Sequence, residues 1–293
     1  MTNSYDTSYK AKPLFTTQRI ILLSISWAVL ALLYFLLFSA KTFDSKGVEV
    51  RQIWYSYGTY VFEILAFLGA SILCWRNWQS TQVISNRKVW LFIGLGMLSY
   101  AIGGLFFGYT ELIQGREPDV SLGDAFYVIN YIFLGVGMSL ALFSRRITLE
   151  VWQWLIVGII GAVGIFIAWF ISDQNSQPSA DLSPLMIGIK LGLDWFYVVS
   201  DVLLLIIATI MLLAFWGGKV SLSWRMIAAA AFCLYIADMW FKYATNANDG
   251  IYKSGDILEV FWIFSGVLFG MGAALEYEAS MSLKRRTSGR KRN

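Results

Sequence analysis

The chain has 293 residues, 57% of them hydrophobic and 14% charged, with a formal net charge of +4; its mean hydropathy is +0.60. That balance lies outside the range of soluble domains and points to a bilayer. Histidine is missing altogether, which removes imidazole ligation of haem or zinc, Ser-His catalysis and imidazole proton shuttling.

A membrane-spanning helix needs about 20 mostly apolar residues. Eight stretches approach that length: 20–38, 58–75, 89–108, 125–143, 151–171, 195–216, 226–241 and 258–275. They are continuously apolar, whereas a barrel strand would alternate lipid-facing and lumen-facing residues over about ten positions. The reading is therefore an all-α integral membrane protein with eight transmembrane helices. The first run starts late and lacks a small-x-small site after Phe38, so it is expected to remain as a span and not to be removed as a signal peptide. The sixth is the least regular. From Leu185 it is longer than a bilayer requires and carries Lys190 and Asp194 early, so its first third is expected on the outer surface. Cys74 and Cys233 sit inside apolar runs as small buried hydrophobes, and no disulfide is expected.

Orientation follows from the basic residues, which cytoplasmic loops retain. Sixteen of the 23 Lys and Arg fall in the N-terminus, the second, fourth and sixth loops and the tail, leaving seven opposite. Both termini are thereby placed in the cytoplasm. The outer loops hold Asp44, Glu111, Glu117, Asp119, Asp173, Asp181 and Asp249. Trp54, Trp75, Trp78, Trp152, Trp154, Trp195, Trp216 and Trp224 gather near helix ends, as interfacial anchors do.

The two halves carry matching anchors: Glu63 with Asp201, Tyr100 with Tyr235, and Gly123-Asp124 with Gly255-Asp256. Each half has four spans, so both copies enter the membrane with the same polarity and would be related by an axis along the membrane normal. This divides the chain into a cytoplasmic segment (1–19), two tandem four-helix repeats (20–146 and 147–276) and a basic cytoplasmic tail (277–293).

At the start of the fourth span, Val120-Ser121-Leu122-Gly123-Asp124-Ala125-Phe126-Tyr127 resembles the proline-serine-x-x-aspartate-x-x-tyrosine signature of the multi-pass sensory regions that precede bacterial diguanylate cyclases and histidine kinases. Ser200-Asp201, Tyr235 to Asp238 and Asp256 to Trp262 resemble the second-half aspartates and tryptophan of that family. Val120 stands where the signature has proline, Gly123 where alanine is usual, and Ile132 where proline follows the tyrosine. Only a short tail follows Leu275, so the resemblance implies that any output domain is a separate protein.

Ionisable groups within spans cost roughly 2.5–3.5 kcal/mol each at mid-helix, so each needs a reason. Glu63, Asp124, Asp201, Asp238 and Glu259 all fall in the outer half. Asp124 and Asp256 follow glycine and suit helix caps or a pocket rim. Glu259 sits three residues after Asp256, so the two would share a cation or close a reciprocal cap. Glu63 and Asp201 occupy equivalent places, with Tyr60 and Tyr197 about one turn earlier. Asp238 has Lys242 four residues later and Tyr235 a turn before, which suits an ion pair. The set reads either as a polar network that fixes packing or as a ligand pocket open to the outside, formed by Glu63, Asp201, Asp238, Glu259, Tyr60, Tyr100, Tyr197 and Tyr235.

Gly94, Gly96, Gly103, Gly104 and 158–164 suit close helix packing, with Gly104 and Gly108 at small-xxx-small spacing. No P-loop, dinucleotide fingerprint or metal-ligand spacing occurs, and no lysine lies at mid-membrane depth to carry retinal; no cofactor, metal or nucleic-acid partner is expected. Lys284, Arg285, Arg286, Arg290, Lys291 and Arg292 either retain the tail in the cytoplasm or bind anionic lipid. The functional expectation is a non-enzymatic signalling or interaction subunit, acting from an outward acidic-aromatic pocket on a separate membrane or cytosolic protein. A small secondary transporter and a membrane scaffold are the alternatives. The expected location is the bacterial plasma (inner) membrane, with another internal membrane such as a thylakoid left open.

Overall fold

Helix punctuation in the sequence is reproduced by the backbone. A computed structural model describes residues 16–43, 49–115, 120–144, 148–172, 183–216, 221–247 and 254–290. Its elements are α1 (Thr17–Phe38), a two-residue antiparallel ladder of β1 (Thr42–Phe43) and β2 (Glu49–Val50), α2 (Ile53–Gln79), α3 (Arg87–Leu112), α4 (Leu122–Phe143), α5 (Val151–Ser172), α6 (Pro184–Ala214), α7 (Ser221–Ala247) and α8 (Val260–Arg290). A 3₁₀ turn, Ile257–Glu259, leads into α8. The Thr16 side chain accepts from the backbone N–H of Arg19 to start α1, Asn86 accepts from that of Lys88 to start α3, and Ser183 accepts from that of Met186 with Pro184 in the first turn of α6. These are the side chains that satisfy the orphan N–H groups of a helix start.

Among the described residues, eight helices are long and apolar enough to cross a membrane, consistent with a multi-pass membrane protein. The sixth expected span differs in one respect. α6 runs unbroken from Pro184 through Lys190 and Asp194, and its 31 residues make a helix of about 46 Å at 1.5 Å per residue. That exceeds the ~30 Å hydrocarbon core, so α6 is longer than an upright span requires. α8 likewise continues as helix to Arg290, where the sequence suggested a separate tail from residue 277.

The packing order puts α2, α3 and α4 side by side, α8 against both α7 and α2, and α6 against both α7 and α4. α1 leans on α8 and α2, and α5 leans on α6 and α7. Trp90 and Trp224 belong to the main core and stack at 5.5 Å between centroids at the end where α3 and α7 begin, with Phe215 stacked on Trp224 at 5.4 Å. The outward faces are apolar instead of polar: Phe143, Val151, Ile72 and Leu37 are each more than two-thirds exposed. Such a surface is tolerable where a bilayer covers it and hydrophobic exposure carries no penalty. Cys74 and Cys233 are free thiols.

Small residues set the closest crossings. A Cβ on Gly266 of α8 would lie 3.1 Å from the Ala66 backbone of α2, and one on Gly123 of α4 would lie 2.9 Å from the Gly103 carbonyl of α3. Gly104 and Gly108 both turn toward α2, facing Ile64 and the Tyr60 ring. Gly266→Val is expected to destabilise the α2–α8 contact by about 1–3 kcal/mol, the usual cost of overpacking. Gly69→Ala, where a Cβ would meet nothing within 4 Å, should change the midpoint little; thermal unfolding in detergent compares the two.

Candidate functional site

The cavity that gathers the intramembrane acids has a volume of about 230 Å³ and lies at the end where α2, α4, α6 and α8 begin and α3 and α7 finish. Glu63, Asp124, Asp201, Asp238 and Glu259 all line it. Their helices converge because α4 meets α6 and α2 meets α8, so acids distant in sequence face one space.

At the floor, Tyr131 of α4 places its hydroxyl 2.6 Å from Asp201 Oδ1 of α6 and 2.6 Å from Asp238 Oδ2 of α7. Trp262 of α8 donates its indole N–H to Asp238 Oδ1 at 2.7 Å. Asp201 is buried at 2% exposure. A tyrosine hydroxyl has a single proton, so Tyr131 donates to only one of its two carboxyl neighbours. The other contact requires a proton on a carboxyl group. Glu63 of α2 has the Tyr100 hydroxyl as its polar neighbour. Tyr100 in turn stacks on Phe67 at 3.8 Å and meets the Tyr127 ring edge at 5.1 Å.

Nearer the mouth the acids are held by local partners. Asp124 closes a capping box with Ser121 at the start of α4, its Oδ2 accepting from the Ser121 N–H at 2.7 Å, while Oδ1 accepts from the Tyr197 hydroxyl at 2.9 Å. It is therefore both a cap and part of the rim. Tyr60 donates to Glu111 Oε2, which also accepts from the Ser254 hydroxyl at 2.8 Å.

Two sequence expectations are corrected here and one open alternative is decided. Lys242 pairs with Asp194 Oδ1 at 2.8 Å and not with Asp238; its long stem carries the ammonium toward the end of α7, where α6 supplies the carboxylate. Tyr235 is outside the cavity. It donates to the Gly164 carbonyl of α5 at 2.9 Å, in a space where a Cβ on Gly164 would lie 2.6 Å from Leu205. Of the two readings of Asp256 and Glu259, the reciprocal cap is the one that forms. Glu259 accepts from the N–H groups of Gly255 at 2.7 Å and Asp256 at 3.2 Å, while Asp256 pairs with Arg51 and stands 3.8 Å from Lys41. Asp256 is thus a cap and ion-pair residue and does not line the cavity. Gly255 makes this turn at φ +116, where a Cβ would strike Tyr55 and Arg51.

Sequence reasoning missed Tyr127, Tyr131 and Trp262 as wall residues and left Glu111 as a loop carboxylate. The signal for the tyrosines was present, since 124, 127 and 131 follow helical spacing on one face. Of the seven outer-loop carboxylates, all but Glu111 lie outside the described residues. In the basic tail, the side chains of Arg285, Arg286 and Arg290, and all of Lys291 and Arg292, also lie outside them; Lys284 is exposed. Among the described residues no three His, Cys, Asp or Glu side chains come together as a metal site. Comparison of the chain with protein-family models, curated proteins and solved structures gives no match.

Arg51 and Asp256 have side chains 4% and 5% exposed. Arg51→Met leaves the Asp256 charge with its main counter-ion removed and is expected to cost about 3–5 kcal/mol, the penalty for breaking a buried pair from one side. Replacing both, Arg51→Met with Asp256→Asn, should restore part of that loss. Unfolding midpoints of the single and double variants check the order; an unshifted single variant contradicts the assignment.

Proposed function

We propose that the protein is a multi-pass membrane signalling or interaction subunit: it binds a ligand in the acidic-aromatic cavity on the non-cytoplasmic side and acts on a separate cytosolic protein. The observation that carries this reading is the origin of the cavity walls. Glu63, Tyr100 and Tyr131 come from α2, α3 and α4, and Asp201, Asp238 and Trp262 from α6, α7 and α8. A ligand filling that space bears on how the two helix groups sit against each other, which is the differential contact a two-state switch requires.

α8 supplies a route to the other end. Trp262 touches the acid pair within its first turn, and the helix then runs without interruption to Arg290. A displacement at the cavity is carried along about 46 Å of continuous helix. The positive-inside count supports a cytoplasmic basic end of α8, in keeping with a location in a bacterial plasma membrane. The resemblance to sensory regions that precede cyclases and kinases supports the same reading.

The contact pattern also favours a duplication. Exchanging the first four helices with the last four turns the α2–α8 contact into α6–α4, and both contacts are present. The peripheral helices depart from that exchange, since α1 leans on α8 whereas α5 leans on α6 and α7. A carrier reading takes support from Glu63 and Asp201, one from each half. Against it, α2, α4, α6 and α7 each run unbroken past the cavity, whereas many carriers build their sites from interrupted helices.

Affinity isolation of the tagged full chain from mildly solubilised native membranes is expected to recover a protein partner at comparable amount. Asp201→Asn, folded by its unfolding curve, is expected to change that recovery several-fold. A wild-type chain repeatedly isolated as a partnerless monomer contradicts the signalling reading; partner recovery indifferent to Asp201 removes the cavity from it.

A further inference from the structure

The chemistry of the cavity selects a class of ligand. Its deep part holds three carboxyl groups, Glu63, Asp201 and Asp238. The only basic side chains among its lining residues are Lys190 and Lys242, both nearer the mouth. Lys242 is engaged by Asp194 at 2.8 Å. Glu63 makes no ion pair among the described residues; its carboxylate faces the cavity with the Tyr100 hydroxyl as its polar neighbour. An acid that no cation pairs among the described residues, set in a span and open to an internal space, favours a positive guest.

The walls refine the choice. Tyr100, Tyr127, Tyr131, Tyr197 and Trp262 surround the acids with aromatic rings, whose faces attract weakly hydrated cations. A compact metal ion requires several oxygens converging at about 2.0–2.6 Å, and among the described residues no three His, Cys, Asp or Glu side chains form such a group. A volume of about 230 Å³ lies below the ~300–1,000 Å³ that accept drug-sized ligands, so the guest is small. An anion would meet three carboxyl groups, of which the Tyr131 contacts require one to hold a proton, and a neutral molecule would leave the remaining charge uncompensated.

We infer that the cavity binds a small alkylammonium ion, its charge between Glu63 and the Asp201–Asp238 pair and its alkyl groups against the surrounding aromatic rings. This rests on the reading of the cavity as a ligand site and names the ligand class.

The test uses the full chain in lipid nanodiscs and two probes of one shape: trimethyl(2-hydroxyethyl)ammonium and its uncharged carbon isostere 3,3-dimethylbutan-1-ol, with n-butylammonium as a primary amine and sodium chloride at matched ionic strength. Tryptophan fluorescence, to which Trp262 reports directly, and the unfolding midpoint are recorded. At least one ammonium is expected to saturate and to raise the midpoint by about 3 °C or more, with the isostere at least about tenfold weaker. Asp201→Asn and Asp238→Asn are each expected to weaken ammonium binding about tenfold. Equal binding of the isostere, an equal effect of sodium, or no saturation by either ammonium overturns the inference. The wild-type comparison decides the matter even where a variant fails to fold. Saturable binding of a neutral or anionic compound in place of the ammonium ions would remove the ligand class and keep the ligand site. Ammonium binding without a responsive partner would keep this inference and remove the signalling role.

Discussion

A single phenolic hydroxyl, that of Tyr131, stands between two carboxyl groups from different helices, and the arrangement of the cavity depends on it. Asp201 and Asp238 lie in otherwise apolar spans, where an uncompensated charge is expensive. Each is tolerable because its oxygens are met: the Tyr131 hydroxyl lies 2.6 Å from both, its own proton serving one contact and a carboxyl proton the other, and Trp262 donates to Asp238. The network thereby couples α4, α6, α7 and α8 at one depth. Polar contacts of this kind fix which helices meet and in what register, whereas lipid-like side chains alone do not discriminate.

The remaining acids divide by what satisfies them. Asp256 and Glu259 are bound into the turn before α8 by backbone N–H groups and Arg51. Asp124 does two things at once, capping α4 with one oxygen and meeting Tyr197 with the other. Glu63 has the Tyr100 hydroxyl as its polar neighbour and makes no ion pair among the described residues. A gradient results, from locally compensated acids at the mouth to acids dependent on one another in the interior.

Much of this was legible without coordinates, and the reasons are physical. Continuous apolar runs fix the number of helices, because no other structure of that length satisfies its own backbone in lipid. Gly-Asp at a helix start announces a cap, and both expected caps form. The convergence of Glu63, Asp201 and Asp238 was also readable, since each costs free energy and all three lie toward one end. What sequence spacing does not contain is the rotation of each helix against its neighbours. Tyr235 lies one turn from Asp238 and still points to Gly164, because α5 approaches that side; Tyr131 takes its place from another helix. Lys242 sits four residues from Asp238 and still reaches Asp194, because a long side chain chooses among helices and not only along its own. Glu111 was assigned to a loop, whereas α3 extends to Leu112 and brings it to Tyr60.

The central claim is that Tyr131 from the first half and Asp201 from the second act on each other inside one cavity. A double-mutant cycle of Tyr131→Phe and Asp201→Asn, read by reversible unfolding in mixed micelles, addresses it directly. The account predicts a coupling of about 1 kcal/mol or more, as for groups in one hydrogen-bond network. Additive effects, to within about 0.3–0.5 kcal/mol, would mean that the two side chains do not meet and would contradict it.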